Sequence, residues 1–176
     1  MYPYLRLWRN VANARGQSAL KPWETHVSQH ICWPWDIDPW RELNNGRTLT
    51  LYDLGRSGHA IRCGTYAAVR RRGWGIAVAG ASIRYRRRIR AFDRFEMRTR
   101  GLGWDDRFVY IEQSIWRGGE CASHLLLRSA VTSAQGIVPP AELVADMGLD
   151  SASPPLPNWA MAWIGAETLR PWPPAL

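Results

Sequence analysis

Lysine is almost missing from this 176-residue chain: Lys21 is the single lysine among 23 basic residues, the rest being arginine. Against 15 acidic residues the balance is +8. No run approaches the roughly 20 apolar residues that a membrane span requires. The opening MYPYLRLWRN lacks the apolar stretch of a secretory signal, so the expected location is cytoplasmic. Three cysteines, Cys32, Cys63 and Cys121, are too few and too widely spaced for a disulfide framework or a C-x-x-C knuckle. The four histidines do not gather with thiols or carboxylates at ligand spacing, so neither a metal nor a redox cofactor is expected. The arginine excess suits polyanions. No nucleic-acid fold motif accompanies it, however, and nucleic acid is not the expected partner.

What is present describes a folded domain. Hydrophobic residues make up 46% and charged residues 22%, close to globular averages. Residues 1–16 read as an amphipathic helix with Tyr4, Trp8 and Val11 on the face expected to pack on the domain. Residues 25–33 alternate as a strand, with Val27, Ile31 and Trp33 opposite His26, Ser28 and His30. Asn44 and Asn45 supply helix-start chemistry, and Leu51, Leu54, Gly58 and Ile61 follow at helical spacing. A second helix is expected after Gly64, stopping at Gly73. Period-two patterning then runs from Trp74 to Arg90, from Arg94, from Val109, and from Glu120 to Val131, with a hairpin turn at Gly118-Gly119. These four strands read as an antiparallel meander, and Arg84, Arg86, Arg88 and Arg90 as its solvated face. Pro139-Pro140 opens a short helix ending near Gly148. The tail is rich in proline and tryptophan, with one segment, residues 159–170, able to dock on the domain. The expected division is a helix and linker over 1–22, a main α+β domain over 23–148 and a tail over 149–176.

Specific tracts sharpen this. Trp33-Pro34-Trp35-Asp36-Ile37-Asp38, Glu42-Leu43-Asn44-Asn45-Gly46-Arg47 and Tyr52-Asp53-Leu54-Gly55-Arg56 resemble the hotdog-fold acyl-CoA thioesterases. More closely, the chain looks like the thioesterase-like branch related to 4-hydroxybenzoyl-CoA thioesterase, including the thioesterase superfamily member 6 type. Phe95-Glu96-Met97-Arg98-Thr99-Arg100, Leu102-Gly103-Trp104-Asp105 and Val138-Pro139-Pro140-Ala141-Glu142-Leu143 agree with it. The resemblance implies an α+β hotdog fold, a long helix wrapped by a curved antiparallel sheet of about five strands. It also implies a homodimer, which can pair again into a tetramer, with active sites at the dimer interface. The implied activity is hydrolysis of an acyl-CoA, coenzyme A entering as part of the substrate.

Thioester hydrolysis needs a carboxylate and donors aimed at the developing oxyanion. The resemblance puts the carboxylate at Asp38 and the carbonyl-polarising N–H at Asn45, the positive end of the helix. Asp36, and Asp38 as well, also suit turn and capping positions beside the prolines. Relatives often carry a histidine where this chain has Glu42. Glu42 is thus a second candidate carboxylate, a mark of a member that binds thioesters without cleaving them, or a solvated loop residue. Asn44, Arg47, Trp40 and Arg107 are the candidate substrate-binding residues, the arginines for the phosphates of coenzyme A. Trp33, Trp35 and Trp40 suit an acyl pocket or ordinary packing.

Overall fold

The computed structural model describes residues 2–174. Helix α1 (Tyr4–Arg15) leads to strand β1 (His26–Ile31) and a 3-10 turn at Pro34–Asp36. Helices α2 (Asn45–Arg62) and α3 (Thr65–Arg72) follow, joined at Gly64, whose φ of 82° is easy for glycine. Strands β2 (Gly75–Tyr85), β3 (Arg94–Trp104), β4 (Val109–Arg117), β5 (Glu120–Ser133) and β6 (Gly136–Val138) come next, then α4 (Pro140–Asp146) and α5 (Asn158–Leu169).

The strands form one antiparallel sheet in the order β1-β3-β4-β5-β2, with β6 pairing the end of β5. Only β3, β4 and β5 make a meander. The expected four-strand meander is corrected at β2, which crosses to the far side of β5 and pairs Ile83 with Leu125 and Ala81 with Leu127. Strand β2 also ends at Tyr85 rather than near Arg90, because residues 86–89 turn across the end of the sheet. There the N–H groups of Arg86 and Arg87 donate to Ala122 O at 2.8 and 3.1 Å, and Ile89 enters the core.

Helix α2 crosses the inner face of the sheet. Leu51, Tyr52 and Leu54 pack with Phe95, Met97, Ile115, Leu125 and Leu127 in the main core. Gly55 and Gly58 allow the close approach: a Cβ on Gly58 would lie 2.5 Å from His26 Nε2 and 2.9 Å from Asn10 Nδ2. The outer face carries α5, with Ala160, Trp163 and Ile164 seated on Leu102, Tyr110 and Leu126. The tail therefore contributes a layer to the domain.

Two faces are reversed relative to the sequence pattern. In β1, His26 and Ser28 are buried while Val27 is exposed, because the neighbouring glycine leaves room for polar side chains beside α2. In α1, Tyr4 and Trp8 face solvent, whereas Asn10 and Ala14 are buried. Asn10 donates to Leu54 O on α2 at 2.5 Å. That contact, with Ala14 buried and Leu7 packed on the main core, sets how α1 is turned, in place of the aromatic stripe.

Candidate active site

Residues 33–44 fold into a compact platform for the start of α2, organised by Asp36. This carboxylate is 1% exposed; it accepts from Trp33 N at 2.9 Å and pairs with Arg6 at 2.6 Å and Arg47 at 3.2 Å. Its carbonyl accepts from Asn44 N at 2.9 Å. Asp38 holds the next turn: Oδ1 accepts from Trp40 N at 2.9 Å and Glu42 N at 3.3 Å, and Asp38 N donates to Glu42 O at 2.9 Å. Asp38 Oδ2 has no protein partner among the described residues. Arg41, at the turn, has φ of 63°, a left-handed conformation unusual for a residue with a side chain.

Asn44 caps α2, its side-chain oxygen accepting from Arg47 N at 3.0 Å. Among the described residues no acceptor faces the N–H groups of Asn45 and Gly46, so the positive end of the helix is open. Asn45 faces a cleft of about 170 Å³ whose other walls include Glu42, Thr48, Tyr85, residues 86–89 and Ser123. Ser123 is fixed by Tyr52, whose hydroxyl lies 2.8 Å from its Oγ; burial holds the Tyr52 phenol well above its ordinary pKa, so it stays protonated. Glu42 meets Arg88 at 3.0 Å on the cleft wall.

The structure brings Asn45 and Glu42 together at the cleft; Asp38, in the turn that leads into Glu42, is not among the residues that line it. The other candidates fall elsewhere. Arg47 is engaged with the buried Asp36, and with Asn44 it borders a neighbouring hollow beside Trp35 and Ile37. Trp40 is 76% exposed and outside the cleft. Trp33 and Trp35 stack on each other with ring centres 5.3 Å apart, again outside it. Arg107 lies in the β3–β4 turn, where Asp105 Oδ1 accepts its N–H at 2.8 Å. That turn is at the opposite end of the sheet from Asn45, so Arg107 does not reach this cleft within the chain. Sequence reasoning missed Thr48, Tyr85, Ser123 and the arginines at 86, 87 and 88. Thr48 lies one helical turn after Asn45 on α2, whereas the β2–β5 register, which sets Tyr85 opposite Ser123, is what brings the others to Asn45.

A family model described as the Thioesterase-like superfamily matches residues 32–164, the segment that holds α2, strands β2 to β6 and the cleft. The chain belongs to the Thioesterase-like superfamily. Among its relatives is Protein THEM6 of Xenopus laevis, 39% identical over 104 residues, which are 58% of this chain and 50% of that protein. The chain spans about half the length of such relatives, Protein THEM6 of Drosophila melanogaster included. Solved structures share the fold. The DHNA-CoA thioesterase of Staphylococcus aureus superposes with a TM-score of 0.60 at 12% identity, covering 82% of this chain and 92% of that one. For the 1,4-dihydroxy-2-naphthoyl-CoA thioesterase Slr0204 of Synechocystis the TM-score is 0.60 at 9% identity, with 70% and 95% covered. The helix-wrapping sheet is thus the hotdog fold of thioesterases, as the sequence tracts implied.

Proposed function

We propose that this protein hydrolyses an acyl-CoA thioester to the free acid and coenzyme A. The observation that carries the reading is the cleft itself, where Asn45, the first residue of an 18-residue helix, and the acidic Glu42 line the same space. A thioester carbonyl directed at Asn45 N–H would gain stabilisation as its oxygen becomes negative. Asp38 acts as base or nucleophile through Oδ2, the oxygen its turn leaves free, and Glu42 is the second carboxylate on the cleft wall. With a carboxylate as base, the water loses its proton to it as the C–O bond forms. The carbon–sulfur bond then breaks, and the proton returns to the leaving thiolate.

The acting unit in this reading is a dimer. Strand β2 ends the sheet with one edge unpaired, and Ile76 and Val78 on it are half-exposed. Beside them runs an apolar groove of about 470 Å³, walled by Ile61, Tyr66, Val109 and Ile111 among others. A second copy added along β2 would cover edge and groove together.

The test is steady-state hydrolysis of short, medium, long and aromatic acyl-CoAs. Asp38→Asn should lose at least about 100-fold in kcat, while its Asn Oδ1 can still accept from Trp40 and Glu42. Glu42→Gln reports whether the second carboxylate shares the work. One observation favours a second reading, a thioester-binding protein without turnover: Glu42 is already paired with Arg88. Absence of turnover on the whole panel, with acyl-CoA bound, would establish that reading instead.

A further inference from the structure

The stripe of α1 that the sequence pattern assigns to packing stays outside the fold. Tyr4, Leu5 and Trp8 are 65–89% exposed, while Arg6, Leu7, Asn10 and Ala14 turn to the domain. Arg6 pins the helix to the platform of residues 33–44, donating to Ile31 O at 3.2 Å and pairing with Asp36. On that platform Trp33 stacks on Trp35 and meets Phe92 edge-on with ring centres 6.3 Å apart, and Phe92 N donates to Cys32 O. Trp35, Trp40 and Phe92 are themselves 61–76% exposed. Six large apolar side chains therefore project at one end of the molecule, from one helix and two turns. Among the described residues, Arg41 and Phe92 are the two non-glycine positions with positive φ, 63° and 67°. Such strain is held in place by the fold and gathers at functional positions; here it falls beside Trp40 and at Phe92.

The charge around these side chains is of one sign. Helix α1 carries arginines and no acid, and Arg9 follows Trp8, Arg41 follows Trp40 and Arg90 lies two residues before Phe92. The guanidinium groups of Arg9, Arg41 and Arg90 have no hydrogen-bond or ion-pair partner among the described residues. Of the acids on the same segments, Asp36, Glu42 and Asp93 are paired with arginines, which leaves Asp38.

We propose that this end of the molecule docks on the surface of an anionic lipid bilayer. Tryptophan and tyrosine favour the headgroup level, where a ring meets both apolar and wet surroundings, and each arginine there adds attraction to acidic lipid. Leucine and phenylalanine reach the acyl boundary. A protein partner would need a continuous matching surface, whereas these side chains stand on separate projections. No helix of the described residues is long and apolar enough to cross a membrane, so the contact is with the bilayer surface. The inference is independent of the hydrolase reading, because docking is measured without turnover.

The experiment is co-sedimentation of the protein with vesicles of phosphatidylcholine alone and of phosphatidylcholine mixed with phosphatidylglycerol. Binding to the mixed vesicles should be at least about tenfold tighter, and the difference should shrink as salt is raised. Leu5→Ser/Trp8→Ser should weaken binding to the mixed vesicles at least about tenfold, with the unfolding midpoint unchanged. Phe92→Gly, which removes a ring at a backbone position glycine adopts readily, should weaken it in the same direction. Arg9→Gln/Arg90→Gln should lose most of the preference for the mixed vesicles. Binding that none of these variants weakens is adsorption by net charge and overturns the proposal, as does absence of binding to either vesicle. A change of oligomeric state in the folded Leu5→Ser/Trp8→Ser protein, followed by sedimentation velocity without vesicles, would mean that a second copy covers this end and overturns it too.

Discussion

Asp36 and Asp38 are two residues apart, and their surroundings give them different work. Asp36 is buried between Arg6 and Arg47 and ties α1, the platform and α2 together. Removing one member of a buried charge group leaves the others uncompensated. Asp36→Ala should therefore cost about 3–5 kcal/mol in urea unfolding. Asp38→Asn, retaining its acceptor oxygen, should fall within about 0.5 kcal/mol of wild type. The sequence could show two acids beside prolines. It could not show that Arg6, thirty residues earlier, would return to claim one of them. The buried histidines carry a second consequence. Burial, reinforced by Arg62 and His59, depresses the His26 pKa to about 4; burial, with Arg6 and His26 nearby, does the same for His30. Unfolded histidine titrates near 6.5, so between about pH 6.5 and 4 the unfolded chain binds more protons than the folded one. Their contribution is complete above pH 6.5 and is lost as the pH falls toward 4. Stability followed by denaturant titration should drop by up to about 3 kcal/mol for each of the two histidines across that window, and the drop should shrink in His26→Gln.

At the level of elements, helix α2 was legible from end to end. Asn44 caps it and Leu51, Leu54 and Gly58 mark its buried side, because capping and 3.6-residue periodicity are local properties. Its glycines test the packing. Alanine usually improves a helix over glycine by up to about 1 kcal/mol. At Gly58 the added methyl meets His26 and Asn10, and at Gly55 it meets Met97 and Thr99, all in the interior. Gly58→Ala should instead destabilise by about 1–3 kcal/mol. Gly165→Ala, on α5 with nothing within 4 Å of the new methyl, should stabilise by about 0.5–1 kcal/mol; thermal unfolding of both variants checks the contrast. Strand β1 and helix α1 were placed correctly, but α1 packs through Leu7, Asn10 and Ala14 instead of the expected Tyr4 and Trp8. Periodicity identifies two faces, and tertiary contacts choose which is buried.

For the whole molecule, β2 is the element on which the proposed dimer depends. Val78→Lys places a charge on the exposed edge beside the apolar groove, the device by which edge strands avoid pairing. Sedimentation should show wild type as a dimer and this variant as a monomer. If the site needs the partner, acyl-CoA turnover should fall with dimerisation while the unfolding midpoint stays close to wild type.

The sequence by itself determined the α+β class, the α2 start, most of the strand segments and the Gly118-Gly119 turn, each from residues close together in the chain, through capping, side-chain period and backbone freedom at glycine; the family was legible as a resemblance of whole tracts such as residues 33–38 and 42–47. The tertiary structure alone decided that β2 crosses to β5, that residues 86–89 leave the sheet to become a cleft wall, that Arg47 is committed to Asp36, and that Arg107 lies at the far end. Those outcomes depend on strand register and on charge pairs between distant segments, which become definite only when the sheet closes over its helix.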